Sequence, residues 1–175
     1  MAIYLISDTH FYHHNIIAST GRPFTSVNHM NGMLIANWNM TVLPGDTVYH
    51  LGDVGLSRQH DLPALIAILH GEKHLILGNH DREAHAASWW RDCGFVQVYE
   101  EAICLGDGVW LSHEPLMDAQ GGVVSINIHG HTHDKTAAEV DARCRNTGIR
   151  YLNACVEVQD YKPFGYAEKT SSVTS

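Results

Sequence analysis

Residues 2–10 read Ala-Ile-Tyr-Leu-Ile-Ser-Asp-Thr-His, a short apolar run that ends directly at a cluster of polar side chains. The same arrangement returns at residues 47–53, which end in Gly52-Asp53, and at residues 73–81, which end in Gly78-Asn79-His80-Asp81. Short apolar runs bounded by glycine and polar residues are typical of buried strands that end in tight turns. The sequence therefore predicts three buried strands, each of which delivers polar side chains at its carboxyl end.

Between these runs the apolar period changes to that of a helix. Apolar residues recur at i, i+3, i+4 and i+7 in residues 62–69, with Asp61 as the predicted N-cap. Further helices are predicted at residues 26–40 and 82–91, and five later strands at residues 95–99, 102–105, 109–112, 123–129 and 150–158. An α/β half followed by a β-rich half predicts two packed sheets flanked by helices.

Composition narrows the class of protein. A chain of 175 residues is expected to form one domain, assigned here to residues 1–168, with residues 169–175 as a disordered tail. No apolar stretch approaches the ~20 residues of a membrane span, and the absence of a basic leader predicts a cytoplasmic protein. A net charge of -8 with 11 Lys plus Arg argues against a nucleic-acid surface. The four cysteines are far apart, which argues against a zinc ribbon.

Two later polar blocks, Ser112-His113-Glu114 and Gly130-His131-Thr132-His133, bring the number of such blocks to five. Their carboxylates, imidazoles and amide are ligands suited to manganese, iron, zinc or nickel rather than to calcium. Two such cations about 3.5–4 Å apart can share a hydroxide and clamp a phosphate, and a carboxylate is the natural bridge between them. The blocks therefore predict a two-metal phosphoesterase site.

The order of the five blocks resembles that of the calcineurin-like metallophosphoesterase superfamily. The opening at residues 6–11, Asn15-Ile16-Ile17, Arg22-Pro23-Phe24 and residues 160–163 further resemble a small, cap-less bacterial and phage branch. The resemblance implies a four-layer α/β fold with two packed mixed sheets. It also implies that Asp8, His10 and His133 hold the first metal. Asn79, His113 and His131 are implied to hold the second metal, and Asp53 is implied to bridge the two.

Three further residues are predicted to act in catalysis. By the resemblance, His80 contacts the phosphate and protonates or stabilises the leaving oxygen, and Asp81 lies nearby to orient His80. Arg22, an arginine that closely follows the first block, is predicted to be a phosphate clamp. The expected cofactors are two divalent ions, manganese first, with iron, zinc, nickel or cobalt as alternatives.

The expected function is hydrolysis of a small phosphodiester, such as a cyclic nucleotide, or of a phosphomonoester, by attack of a hydroxide that bridges the metals. Two alternatives stay open. One is a non-catalytic scaffold, as in the retromer subunit that has this fold with a degraded site. The other is a nuclease of the same superfamily, although the extra DNA-binding segments are missing here. Relatives of this fold often form dimers, so a homodimer is a further expectation.

The sequence leaves four residues near the blocks without a role. His50 and His129 precede motifs by one or two residues and are candidates for groups that hydrogen-bond to ligands. His13 follows the first motif, and Tyr12 occupies a position where the resembling branch has glycine. Five further histidines outside the blocks are interpreted as surface or satisfied core residues, namely His29, His60, His70, His74 and His85.

Overall fold

The computed structural model describes residues 1–56, 61–118, 124–136, 138–140, 144 and 147–167. Five strands form the first sheet: β1 Ile3–Ile6, β2 Thr47–His50, β3 Glu72–Ile76, β4 Gln97–Tyr99 and β9 Phe164–Gly165. They lie in the order β4-β3-β2-β1-β9, in which β1 to β4 are parallel and β9 is antiparallel to β1. The carboxyl ends of β1, β2 and β3, where the first three motifs begin, therefore meet at one edge of the sheet.

Four strands form the second sheet: β5 Ile103–Gly106, β6 Val109–Ser112, β7 Ile126–His129 and β8 Arg150–Asn153. The strands β6, β7 and β8 are parallel, while β5 and β6 form an antiparallel hairpin. Both sheets are thus mixed, which confirms the predicted α/β fold with two packed mixed sheets flanked by helices. The last two motifs follow β6 and β7.

The apolar core lies on both sides of the first sheet. Leu5 packs with Leu111 and Ile128 of the second sheet, whereas its neighbour Ile6 packs on the opposite face with Trp38 of a helix. This alternation is the pattern of a strand buried on both faces. The helices are α1 Ile16–Ser19, α2 Val27–Thr41, α3 Leu62–Ala67, α4 Asn79–Ala84 and α5 Ala87–Asp92.

Local capping explains where two of the helices begin. The Ser26 side chain accepts a hydrogen bond from the amide of His29 at the start of α2, and Asp61 accepts one from Ala64 at the start of α3. The helical residues 138–140 supply Val140 to a third cluster that also contains Tyr151 of β8. No helix in the described ranges has the length and apolarity of a membrane span.

The structure corrects two predicted elements. The helix predicted at residues 82–91 is two helices, because His85 and Ala86 adopt extended backbone between α4 and α5. The strand predicted at residues 150–158 ends at Asn153, whose side chain accepts a hydrogen bond from the amide of Cys155, and a 3-10 helix follows at Val156–Val158. Neither α1 nor β9 was predicted, since both are too short to show a period.

Some predictions lie outside the described residues. These are the first residue of the strand predicted at 123–129, His60 and the tail at 169–175. The assignment of residues 1–168 to one domain stays a prediction.

Candidate metal centre

The first two motif loops are joined by backbone hydrogen bonds beyond the ends of β1 and β2. The amide of Asp8 donates to the carbonyl of Gly52 at 3.0 Å, and the amide of His10 donates to the carbonyl of Asp53 at 3.0 Å. The two loops therefore continue side by side and present Asp8, His10 and Asp53 to the same space.

The first metal group consists of Asp8, His10 and His133, whose ligand atoms lie within 4.8 Å of one another. The Asp8 Oδ2 atom accepts hydrogen bonds from the Ser7 hydroxyl at 2.6 Å, the His131 amide at 2.9 Å and the Cys155 thiol at 3.2 Å. By contrast, Asp8 Oδ1 and His10 Nε2 are buried without a hydrogen-bond partner among the described atoms. Buried polar atoms are rarely left unpaired, so these two atoms fit a bound cation.

The second metal group consists of Asp53, Asn79, His113 and His131. Ligand atoms of Asp53, His113 and His131 lie within 4.8 Å of one another. The Asn79 Oδ1 atom lies 3.1 Å from His113 Nε2 and 3.1 Å from His131 Nδ1. One carboxylate, one amide oxygen and two imidazoles thus converge, which is a donor set for a first-row divalent metal.

Asp53 lies between the two groups. Its Oδ2 atom is 3.6 Å from His10 Nε2 in the first group and 3.6 Å from His113 Nε2 in the second. Burial raises the pKa of the Asp53 carboxyl to about 6. A cation beside the carboxyl would favour its ionised form, so this position suits a residue that is shared by two metals.

The protonation of the first group also suits metal binding. Burial lowers the pKa of His10 to about 4, which leaves the imidazole neutral, the form that binds metals. Burial alone would raise the pKa of Asp8, yet contacts with His10, His113 and Ser7 hold it well below its usual range. The group therefore offers an ionised carboxylate beside a neutral imidazole.

The backbone is unusual at five of the seven predicted ligands. Their φ angles are positive, at 58° for Asp8, 47° for His10, 57° for Asp53, 66° for His131 and 48° for His133. A non-glycine residue with positive φ is uncommon, costs roughly 1–3 kcal/mol, and occurs where the surrounding structure fixes the backbone. Tertiary contacts, rather than local preference, therefore aim these side chains.

His80 lies at the open side of the centre. Its side chain is 49% exposed, and its Nε2 atom is 4.0 Å from Asp53 Oδ2. Its backbone amide donates to Asp53 Oδ1 at 3.1 Å, which ties it to the shared carboxylate. The imidazole is therefore exposed beside the metal ligands without being a member of either group.

Asp81 makes its described side-chain hydrogen bonds to backbone amides. Its buried carboxylate accepts hydrogen bonds from the backbone amides of Asp53 at 2.7 Å, Val54 at 2.9 Å and Gly78 at 2.9 Å. No hydrogen bond from this carboxylate to the His80 ring is among its described contacts, although Asp81 was expected to orient that ring. Instead, Asp81 fastens the loop after β2 to the loop after β3, because it caps the first turn of α4 and reaches across to Asp53.

Arg22 does not have the geometry of a phosphate clamp. Its side chain is 0% exposed, and its Nη atoms donate to the carbonyls of Thr9 at 3.0 Å and Asp8 at 2.8 Å. The rest of the guanidinium faces Glu157, with Nη2 2.6 Å from the Glu157 Oε1 atom. The guanidinium therefore supports the first loop from behind and is not directed to an open site.

Sequence reasoning missed Glu157. Its Oε1 atom lies 2.9 Å from His133 Nδ1, so it contacts a predicted ligand of the first group directly. An acidic residue within the otherwise apolar stretch at 154–158 was the available signal. Cys155, which donates to Asp8, had no predicted role at the site.

The histidines left open bind backbone and hydroxyl groups rather than ligand side chains. The buried His50 accepts from the Gly52 amide at 3.2 Å and lies 2.9 Å from the Thr9 hydroxyl, while His129 Nδ1 lies 2.9 Å from the Gly130 carbonyl. They therefore support the motif loops.

His13 and Tyr12 lie close to the first group. The ring of His13 is 5.5 Å from that of His10, edge to face, and its Nδ1 accepts from the Ile16 amide at 3.2 Å. Tyr12 packs against the helical side of the core and donates its amide to Asn31. Both residues follow the first motif and therefore lie where the chain leaves the metal centre.

Comparison with known proteins agrees with this geometry. The family model described as the calcineurin-like phosphoesterase superfamily domain matches residues 1–155. The chain is similar to the uncharacterized protein MJ1445 of Methanocaldococcus jannaschii, with 38% identity over 163 residues that cover 92% of this chain and 85% of the other. It is also similar to the crystal structure of the protein of unknown function AQ665 from Aquifex aeolicus, with a TM-score of 0.75, 28% identity, and coverage of 98% of this chain and 99% of that one.

Proposed function

This chain belongs to the calcineurin-like phosphoesterase superfamily, and from that premise we propose that it hydrolyses a small phosphate ester with two divalent metal ions. The observation that carries the proposal is the position of Asp53, whose Oδ2 atom is equally distant from an imidazole of each group. The unpaired buried atoms of Asp8 and His10 support it, since a cation would satisfy both.

Two bound cations would supply neutralising charge for the phosphoryl oxygens and would activate water. In this proposal Asp8, His10 and His133 would hold one ion, Asn79, His113 and His131 would hold the other, and Asp53 would be shared by both.

His80 supplies the group that handles the proton of the leaving oxygen. Its imidazole is 49% exposed and adjoins the shared carboxylate, so a substrate at the open side of the centre can reach it. A positioned imidazole can donate a proton to a departing alkoxide. Asp81 contributes by holding the backbone of Asp53 and Gly78, which fixes the loops that carry the ligands.

Two features support a substrate with little negative charge. The net charge of -8 opposes a large polyanion, and Arg22 already faces Glu157 rather than the open side. A phosphodiester carries less negative charge than a phosphomonoester and needs a cationic clamp less. We therefore infer a preference for a small diester.

The test compares bis-p-nitrophenyl phosphate with p-nitrophenyl phosphate after removal of metal by chelator and reloading with Mn²⁺, Co²⁺, Ni²⁺ or Zn²⁺. Activity should vanish in the metal-free protein, return with these ions, and be greater on the diester. Reloading with Ca²⁺ is the control, because a set rich in imidazoles binds calcium poorly. Full activity without metal would overturn the proposal, and metal binding without any turnover would favour the scaffold alternative.

A further inference from the structure

A buried charge pair lies directly behind the first metal group. The Glu157 side chain is 4% exposed, and its Oε1 atom accepts from Arg22 Nη2 at 2.6 Å, from Arg22 Nε at 3.0 Å and from His133 Nδ1 at 2.9 Å. Its Oε2 atom is buried and has no partner among the described atoms. A buried carboxylate is costly unless it is paired, so the guanidinium and the imidazole together keep Glu157 in place.

The contact with Glu157 fixes which nitrogen of His133 is free. An ionised carboxylate can only accept hydrogen bonds, so Nδ1 of His133 must carry the hydrogen. The lone pair of the neutral ring is then on Nε2, which is the nitrogen left for a metal ion. A carboxylate behind a ligating histidine commonly fixes the ring in this way.

The same pair also holds the carboxylate ligand of the group. Arg22 donates to the carbonyls of Asp8 and Thr9, at 2.8 and 3.0 Å, where the φ angle of Asp8 is 58°. The guanidinium therefore stabilises a strained part of the first loop while it binds Glu157. Asp8 and His133, which are far apart along the chain, are thus positioned by one buried pair.

The second metal group is oriented in a different way. The His113 Nδ1 atom lies 2.7 Å from the backbone carbonyl of Leu51. Glu157 makes no described hydrogen bond to any ligand of that group, whose members are Asp53, Asn79, His113 and His131. A change at Glu157 should therefore be felt mainly in the first group.

We propose that Glu157 is a positioning residue for the first metal group, which it holds through His133 and, by way of Arg22, through the backbone of Asp8. This inference rests on the proposed function only in taking the two groups as metal sites. Loss of Glu157 lowers the affinity of the first group for its ion and leaves the affinity of the second group unchanged.

The experiment measures Mn²⁺ binding by equilibrium dialysis, without any substrate. Wild type should bind two ions per chain, and Glu157→Ala should weaken one of them by roughly 10–100-fold, the usual cost of losing the group behind a ligating histidine. Glu157→Gln keeps a side-chain oxygen that accepts from His133, so this variant should lose less Mn²⁺ affinity than Glu157→Ala. Glu72→Gln is the matched control, because Glu72 also binds an imidazole, that of His74 at 3.1 Å, but is 57% exposed.

A second background assigns the weakened ion. His131→Ala removes an exposed ligand of the second group alone. Addition of Glu157→Gln to that variant should weaken the remaining ion, while Glu72→Gln should not. Thermal unfolding in chelator checks that each variant is folded; if Glu157→Ala does not fold, the Gln variant carries the test.

The outcomes separate this inference from the proposed function. Equal weakening of both ions, or no change in either, would overturn the positioning role. If wild type binds two ions and hydrolyses no ester while Glu157→Gln weakens one ion, the proposed function fails and the inference stands. If wild type hydrolyses esters and Glu157→Ala binds metal as wild type does, only the inference fails.

Discussion

The two metal groups use similar ligands but are held by different parts of the structure. The first group is backed by buried side chains, because Glu157 binds His133 and Cys155 donates to Asp8. The second group is backed mainly by backbone, since the Leu51 carbonyl contacts His113. The second group is also more open, because His131 is exposed.

This difference indicates a division of labour. Two of the three residues of the first group, Asp8 and His10, are buried and His133 is partly buried, so we expect an ion held there to be the more slowly exchanging. The second ion, which the exposed His131 would help to hold, should leave and return more readily. Asp53 lies between the two groups, so its substitution should affect both of them.

The largest effect is expected for Asp53→Asn. The amide keeps the shape of the side chain but loses the charge that faces His10 and His113, so both ions should bind more weakly. Hydrolysis should fall by more than the roughly 10–100-fold that loss of a residue behind a ligand costs. Metal content per chain and kcat are the measurements.

The matched control for this substitution is Asp46→Asn. Asp46 is also buried, but it precedes β2 and accepts hydrogen bonds from the amides of Ala2 and Leu43. Its substitution should cost stability and leave the metal content at two ions per chain. Loss of a single ion in Asp53→Asn would show that the carboxylate serves one group only.

The next effect is expected for His80→Ala and depends on the substrate. A proton donor matters most when the leaving oxygen is a poor leaving group, so alkyl esters should slow by roughly 100-fold and nitrophenyl esters much less. Stability should change little, because the side chain is 49% exposed. His14→Ala, at another exposed histidine, is the control. Equal losses on both kinds of ester would contradict proton donation.

Two glycines offer a smaller change that compares the groups directly. A Cβ atom at Gly130 would lie 2.5 Å from Asp8 Oδ2, and one at Gly78 would lie 2.2 Å from Asp53 Oδ1. Each alanine variant should lose about 1–3 kcal/mol of stability through overpacking. Gly130→Ala should weaken the first ion, and Gly78→Ala should weaken both, as followed by Mn²⁺ binding and denaturant unfolding.

The control for the glycine pair is Gly32→Ala. Gly32 lies within α2, and a Cβ atom there has nothing within 4 Å, so alanine should stabilise the helix slightly. Equal effects of Gly130→Ala and Gly78→Ala on both ions would mean that the two groups are not separable.

The smallest effect is expected from pH, as a change in the free energy of unfolding for each pH unit. Burial lowers the pKa of His50 to about 3 and that of His129 to about 4, from an ordinary 6.5. Because the unfolded chain binds protons that the folded chain excludes, stability is present above pH 6.5 and is lost as pH falls towards these values. The slope should reach at most about 1.4 kcal/mol per pH unit for each group.

Denaturant unfolding of the metal-free protein between pH 7 and 5 measures this slope, and His50→Gln should reduce it by one group. His50 contacts both Thr9 and the Gly52 amide, so acid should disturb the loops of both metal groups together. A slope that His50→Gln does not change would contradict the buried neutral imidazole.

Much of the fold could be predicted from the sequence because its signals are local. The apolar runs that become β1, β2 and β3 are visible as short blocks that end at polar turns, and Ser26 and Asp61 mark helix starts by ordinary capping. Breaks such as the one at His85 and Ala86 were missed, since nothing in their immediate sequence stops a helix.

For the site, the sequence by itself determined the kinds of candidate ligand and their order, because carboxylates and imidazoles are side chains that first-row divalent metals bind and each block follows an apolar run. Only the tertiary structure decided the positive φ angles that aim Asp8 and Asp53, since these depend on contacts between loops. It also decided that Arg22 binds Glu157, which is 135 residues away along the chain. No local pattern encodes such a pair, because tertiary packing alone brings its two partners together.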